Sequence, residues 1–199
     1  TTLRTRHRSS APVPGSLRYV RRRAAGSHPM AQQVARTLRR LGTPEALTGA
    51  VVHGFGRGSA QLGFPTANLE IDWTDGAKAP AAQRIRNFVD THDTGIYAAW
   101  AQVADGPDSG VYKAAVSVGW NPHFGDLERK TVEAWLLHDF AADFYGRTLR
   151  LLVVGYVRPE LKFDSLDGLV AAIRADGDFV ERELGDAPED DDGFFVASA

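Results

Sequence analysis

The sequence predicts a mainly β protein, a small antiparallel barrel closed by a C-terminal helix. Three observations carry that expectation. Short β-branched and aromatic runs follow one another between Gly95 and Val157 without helices between them; turn-rich segments connect them; and sustained helical periodicity lies towards the two ends. Successive strands of this kind pair antiparallel, as a barrel or a sandwich, and the barrel is the expected outcome.

Taken in order, Met30, Val34, Leu38 and Leu41 recur at helical spacing, and Gly42 and Pro44 supply a stop, which predicts a short N-terminal helix. LTGAVVHG (47–54) reads as a strand running into the glycine-dense HGFGRGSAQLG, and ANLEI (67–71) as a strand leaving it. The polar stretch 72–93 interrupts, and AAQRIRNFV within it can form a helical turn. Four strands follow: GIYAAWAQV (95–103), VYKAAVSVG (111–119), TVEAWLLHDF (131–140) and TLRLLVVGYV (148–157). Finally Leu166, Leu169, Val170, Ile173, Val180 and Leu184 mark an amphipathic helix that either Asp164 or Ser165 can cap.

Of 199 residues, none is cysteine, which excludes disulfides, thiolate metal sites and thiol catalysis. The net charge of -2 argues against a body built for nucleic acid or acidic membrane, and no apolar run approaches the length of a span. Residues 1–29 are rich in arginine and lack acidic residues; they read as a non-native leader or a targeting segment, with Met30 as the natural start. Residues 30–46 are expected to be a helical extension, 47–185 the barrel with its helix, and 186–199 an acidic and aromatic tail standing in solvent.

Glycines 54, 56, 58 and 63 allow positive φ and close approach of a ligand to the main chain. The loop is no P-loop, because Phe64 and Pro65 stand where Lys and Ser/Thr would be required. It also misses the protein-kinase GxGxxG, and neither HRD nor DFG follows. Thr66 and Asn68, two residues apart, point the same way and together offer two hard oxygens to magnesium; equally, an Asn after a turn serves as a hydrogen-bonding cap. In TVEAWLL, alternation places Glu133 on one face with Thr131, Trp135 and Leu137. Apolar neighbours would raise its pKa towards the range of a general base, unless its head reaches water at the strand end. Trp120, Phe124, Tyr145, Tyr156 and Phe163 are candidates to wall a planar ligand, or are core. Arg158 can meet a polar ring edge or a phosphate, or lie on the surface. The histidines show no paired metal-ligand spacing, and no GxSxG elbow supports a serine triad.

GFGRGSAQLGFPTANL, GIYAAW, VSVGWNPHFGD, VEAWLLHDFAADFYG, VGYVRPELKFDSLDGL and GFF, in this order, resemble the riboflavin kinases of the monofunctional eukaryotic type, from about Leu47 to Phe195. The resemblance implies a six-stranded antiparallel, Greek-key-like barrel with a C-terminal helix. It implies transfer of the ATP γ-phosphate to the 5'-hydroxyl of riboflavin, giving FMN and ADP. By residue, it implies Thr66 and Asn68 as ligands of magnesium, with zinc or manganese as alternatives, and Glu133 as the catalytic base. It places Gly54, Ser59, Gly63, Pro65, Leu136, His138 and Tyr145 on the nucleotide side, and Arg158, Leu161 and Phe163 on the flavin side. Two departures stand out: Ala60 where some relatives carry lysine, and the long excursion 72–93.

The expected partners are therefore riboflavin or FMN and ATP or ADP, with no nucleic acid and no membrane, in a monomer. The expected location is the cytoplasm, or an organelle if the arginine-rich start is native. Two rivals share the barrel: a flavin or nucleotide carrier without chemistry, against which PTAN and Glu133 argue, and a small nucleic-acid-binding barrel using the basic arm, which the acidic balance of the body opposes.

Overall fold

A computed structural model describes residues 34–54, 62–74, 79–121, 129–189 and 192–196. Six strands, β1 (Arg39–Val52), β2 (Ala67–Leu69), β3 (Gly95–Val103), β4 (Val111–Asn121), β5 (Arg129–Leu136) and β6 (Thr148–Arg158), close into a barrel in the order β1-β2-β5-β4-β3-β6. Every pairing is antiparallel. Strands β3, β4 and β5 are consecutive neighbours and β6 returns to lie beside β3, which is the Greek-key connection.

Side chains alternate across the wall, so each strand serves two environments. Ala67 and Leu69 of β2, Val116 and Val118 of β4, and Val132 and Ala134 of β5 belong to the interior cluster. Helix α1 (Pro80–Thr91) adds Ile85, Phe88 and Val89 to that cluster, so the excursion contains a three-turn helix that contributes to the core rather than a passing turn. Proline at its first turn suits a start that has no side-chain cap.

Ala98, Trp100, Ala115, Trp135, Leu152 and Val154 point outward, and helix α2 (Leu166–Glu183) covers them with Phe179 and Val180. Ser165 is the cap, accepting a hydrogen bond from the Gly168 amide at 3.1 Å. Gly177 lets the helix lie close: a Cβ there would stand 2.3 Å from Cζ3 of Trp135. Leu166 departs from the predicted apolar stripe, since at the first position of α2 it projects away from the wall and is 60% exposed.

Two expectations require correction. The predicted N-terminal helix is absent over the described part of its range: residues 34–38 lack regular structure, and Arg39–Leu41 already belong to β1. Arg39 and Arg40 pair with Tyr156 and Gly155, an irregularity follows, and pairing resumes at Glu45. Leu38 packs on the outer cluster and Leu41 on the inner one, so their helix-like spacing reflects two sides of a wall. Met30 lies outside the described residues. Nor is the tail solvated throughout. Phe194 and Phe195 pack against the outer cluster, and buried Gln102 donates to the Val196 carbonyl at 2.7 Å while accepting from its amide at 3.0 Å. Among the described residues no helix is long and apolar enough to cross a membrane.

Candidate active site

The site lies on the outside of the barrel, beneath the N-terminal half of α2. Its origin is the alternation itself: with Ala67, Leu69, Val132 and Ala134 turned inward, Asn68 and Glu133 must turn outward, and they face each other across the β2–β5 pair. Ser117 pairs with Glu133 on the other side, making a polar row across three strands. Thr66 has the same parity as Asn68. A cavity of about 240 Å³ opens along this row, with Thr66, Ser117 and Glu133 on its floor and Leu169, Ile173 and Asp176 of α2 as its roof. Phe64 meets Trp135 edge-on at 5.0 Å between ring centroids, giving one apolar wall; Leu161 and Phe163, in the segment after β6, give another.

Arg158 lines the same cavity but is 4% exposed. Its Nε donates to Asp176 Oδ1 at 2.8 Å and its Nη2 to Oδ2 at 2.6 Å, a bidentate geometry that fixes the guanidinium plane. Nη1 donates to the Pro159 carbonyl at 2.8 Å, and the guanidinium lies 6.0 Å from the Phe163 ring.

Five of the sequence candidates therefore meet in one cavity: Thr66, Glu133, Arg158, Leu161 and Phe163. Asn68 joins them through its register with Glu133. Gly54 stands against Asn68, for a Cβ at Gly54 would fall 2.3 Å from the Asn68 Nδ2; only glycine admits the amide in this position. Gly63 is in the turn leading to this strand with φ +85°, and Pro65 is half-buried just before Thr66. Ser59 lies outside the described residues.

The remaining nucleotide-side candidates sit elsewhere. Leu136 is buried in the barrel interior, where its side chain packs with the core. His138 stacks on Tyr112 with centroids 3.8 Å apart and bonds Asp108 at 2.6 Å. Tyr112 also donates to Asp108. Burial would raise the Asp108 carboxyl, but the bonds from Tyr112 and His138 outweigh it and hold the group below its usual 3.8. The same burial and the Asp108 partner push the Tyr112 phenol up. Tyr145 stacks on His53 at 3.8 Å, beside Gly54 at the edge of the glycine loop. Neither His138 nor Tyr145 lines the cavity of Glu133.

Sequence reasoning did not single out Ser117, Glu160, Asp176 or Ile173 as cavity residues. Asp176 had a readable signal, since 169, 173, 176 and 180 fall on one helical stripe and only one of the four is charged.

The donor set bears on a metal. Among the described residues no three His, Cys, Asp or Glu side chains group to hold an ion. What is present is a hydroxyl and an amide oxygen of matched parity beside the Glu133 carboxylate, the amide seated over a glycine. Such a sparse hard-oxygen set fits a cation that keeps waters and takes its other ligands from substrate phosphates.

Fold and site together define a closed antiparallel β-barrel with a cavity on its outer wall under a helix. The family model for riboflavin kinase matches residues 41–184. A riboflavin kinase from Mus musculus is 43% identical over 154 residues, covering 75% of this chain and 89% of that protein. The bifunctional riboflavin kinase/FMN phosphatase of Arabidopsis thaliana is 44% identical over 142 residues; the alignment covers 71% of this chain but only 33% of the plant protein. The crystal structure of riboflavin kinase from Trypanosoma brucei superposes with a TM-score of 0.53 at 30% identity, covering 74% of this chain and 82% of that one. This chain belongs to the riboflavin kinase family.

Proposed function

We propose that the cavity beneath α2 holds riboflavin, with Glu133 as general base and Thr66 and Asn68 as the protein ligands of a divalent cation. The activity follows from the family: ATP-dependent phosphorylation of a riboflavin hydroxyl. The observation that carries the assignment of roles is the convergence of Thr66, Glu133, Arg158 and Phe163 on one cavity from three separate parts of the chain. Its apolar walls suit a planar ring system, and the polar row along its floor suits a ribityl chain.

In this reading the flavin ring lies between the Phe64–Trp135 wall and the Leu161–Phe163 wall. The chain then leads its 5'-hydroxyl to Glu133. Phosphoryl transfer asks the protein for alignment and charge neutralisation rather than covalent chemistry. Glu133 accepts the hydroxyl proton as the 5'-oxygen bonds to the γ-phosphorus, and the bond from that phosphorus to the β–γ bridging oxygen breaks, leaving ADP. Thr66 and Asn68 would hold magnesium, or alternatively zinc or manganese, which supplies charge neutralisation on the phosphates. The glycine loop from Gly54 onward contributes backbone N–H donors, with His138 and Tyr145 on the nucleotide side. The protein acts as a monomer, and neither nucleic acid nor membrane takes part.

Chromatography of riboflavin incubated with the protein and MgATP should show FMN and an equal amount of ADP, and a chelator should stop the reaction. Glu133→Gln should lower turnover by about two to four orders of magnitude while riboflavin binding persists. Turnover near that of the wild type would remove Glu133 from the role of base.

A further inference from the structure

We propose that Arg36 and Asp176 are positioning residues for the flavin end of the site, and that the segment preceding the barrel is a clamp on the roof of the cavity. The proposal rests on the reading of that cavity as the riboflavin site. Asp176 is buried on α2 and serves two arginines at once. Its Oδ1 accepts from Arg158 Nε at 2.8 Å and from Arg36 Nε at 2.7 Å, while Oδ2 accepts from Arg158 Nη2. Arg36 also donates from Nη2 to the Ala172 carbonyl at 3.0 Å and from Nη1 to its own segment at the Val34 carbonyl, 2.9 Å away. One guanidinium thus ties an irregular segment to two points one helical turn apart on α2.

Those points frame the roof. Ile173 lies between them and, with Leu169 and Asp176, lines the cavity. The floor, carrying Glu133, belongs to the barrel wall, so the height of the roof over the floor depends on what holds α2 down. Beneath the C-terminal half of α2, Phe179, Val180 and Leu184 bury against the outer cluster. In the N-terminal half the contact is sparser, with Val170 and Ile173 only partly buried against that cluster beside the cavity, and the ion-paired cluster adds a tie at mid-helix. Arg36 also lies ahead of the residues 41–184 that match the family model, so this tie reaches outside the matched domain.

The cluster is directional in a way that matters to the reaction. Arg158 faces the flavin walls, and Asp176 fixes its plane; Arg36 does not line the cavity and acts through Asp176 and α2. Loosening Arg36 should therefore change how tightly riboflavin is held and leave Glu133 and the phosphate end undisturbed. Small displacements remote from the reacting atoms can change binding and rate by large factors.

The test is steady-state kinetics of the full chain with Arg36→Ala and Arg36→Lys, together with riboflavin fluorescence titration without nucleotide. Arg36→Ala should raise the KM and the dissociation constant for riboflavin about tenfold, with kcat and the KM for ATP near wild type. Arg36→Lys can restore a charge beside Asp176 but cannot span both the carboxylate and the helix carbonyl, so it should recover only part of the loss. If Arg36→Ala lowers Tm but leaves riboflavin affinity unchanged, Arg36 is merely structural and the proposal is overturned. Should the alanine variant fail to fold, unchanged riboflavin affinity in Arg36→Lys has the same meaning. Wild-type protein that binds riboflavin but makes no FMN would refute the kinase reading instead; the affinity comparison would still decide the clamp.

Discussion

The inside and the outside of this barrel are made from the same strands, yet they are built on opposite terms. Within β5, Val132 and Ala134 face a closed apolar interior, while Glu133 and Trp135 between and beside them face the cavity under α2. Inside, the neighbours are hydrocarbon apart from the Tyr97 hydroxyl, which donates to the Asp93 carbonyl, and stability comes from filled volume. Outside, a carboxylate, a hydroxyl and an aspartate ion-paired with Arg158 and Arg36 lie within one cavity. Packing of the interior thus fixes which residues face outward, and the proposed chemistry falls to those outward residues. A one-residue slip in register would exchange the two.

That contrast can be broken from the inner side. Leu151→Ala removes a fully buried interior side chain and should cost about 2–5 kcal/mol, read as a lowered midpoint in denaturant. Turnover per folded molecule should stay close to the wild type. A large loss of turnover in the folded fraction would show that the interior shapes the site directly.

A smaller effect sharpens the contrast at the stack of Tyr112 and His138 around Asp108, which is far more open than the Arg158 cluster. The Asp108 side chain is 37% exposed, and its folded pKa lies below the usual value. The stabilisation is therefore complete above about pH 4 and drains away as pH falls through the depressed folded value. Solvent screening limits it to about 1 kcal/mol or less. Asp108→Asn should lower Tm slightly at neutral pH and flatten its fall below about pH 4; an unchanged acid limb would show that the carboxylate contributes nothing through this contact.

How much of this was legible in the chain depends on the range of the interaction. Period-two alternation in TVEAWLL was enough to put Glu133 and Trp135 on one face, and the turn-rich connections marked the strands because both signals are local. Leu38 and Leu41 misled for the same reason: three residues apart, they satisfied a helical pattern, while tertiary pairing with β6 placed them on opposite sides of the wall. Arg158 was visible as a guanidinium near the end of a strand, but its partner lies 18 residues on, and Arg36 is 140 residues from the same aspartate. No local pattern encodes such pairs. The docking of Val196 on Gln102, 94 residues away, escaped for the same reason.

The central claim is that riboflavin occupies the outer cavity rather than the barrel interior. Ser117 faces that cavity from β4, beside Glu133, and a tryptophan there would fill the space while suiting a strand. Fluorescence titration of riboflavin against Ser117→Trp is the most direct measurement, with circular dichroism to confirm the fold. Riboflavin bound in this cavity predicts a folded variant that no longer binds it. Binding at wild-type strength would contradict it and move the flavin out of this cavity.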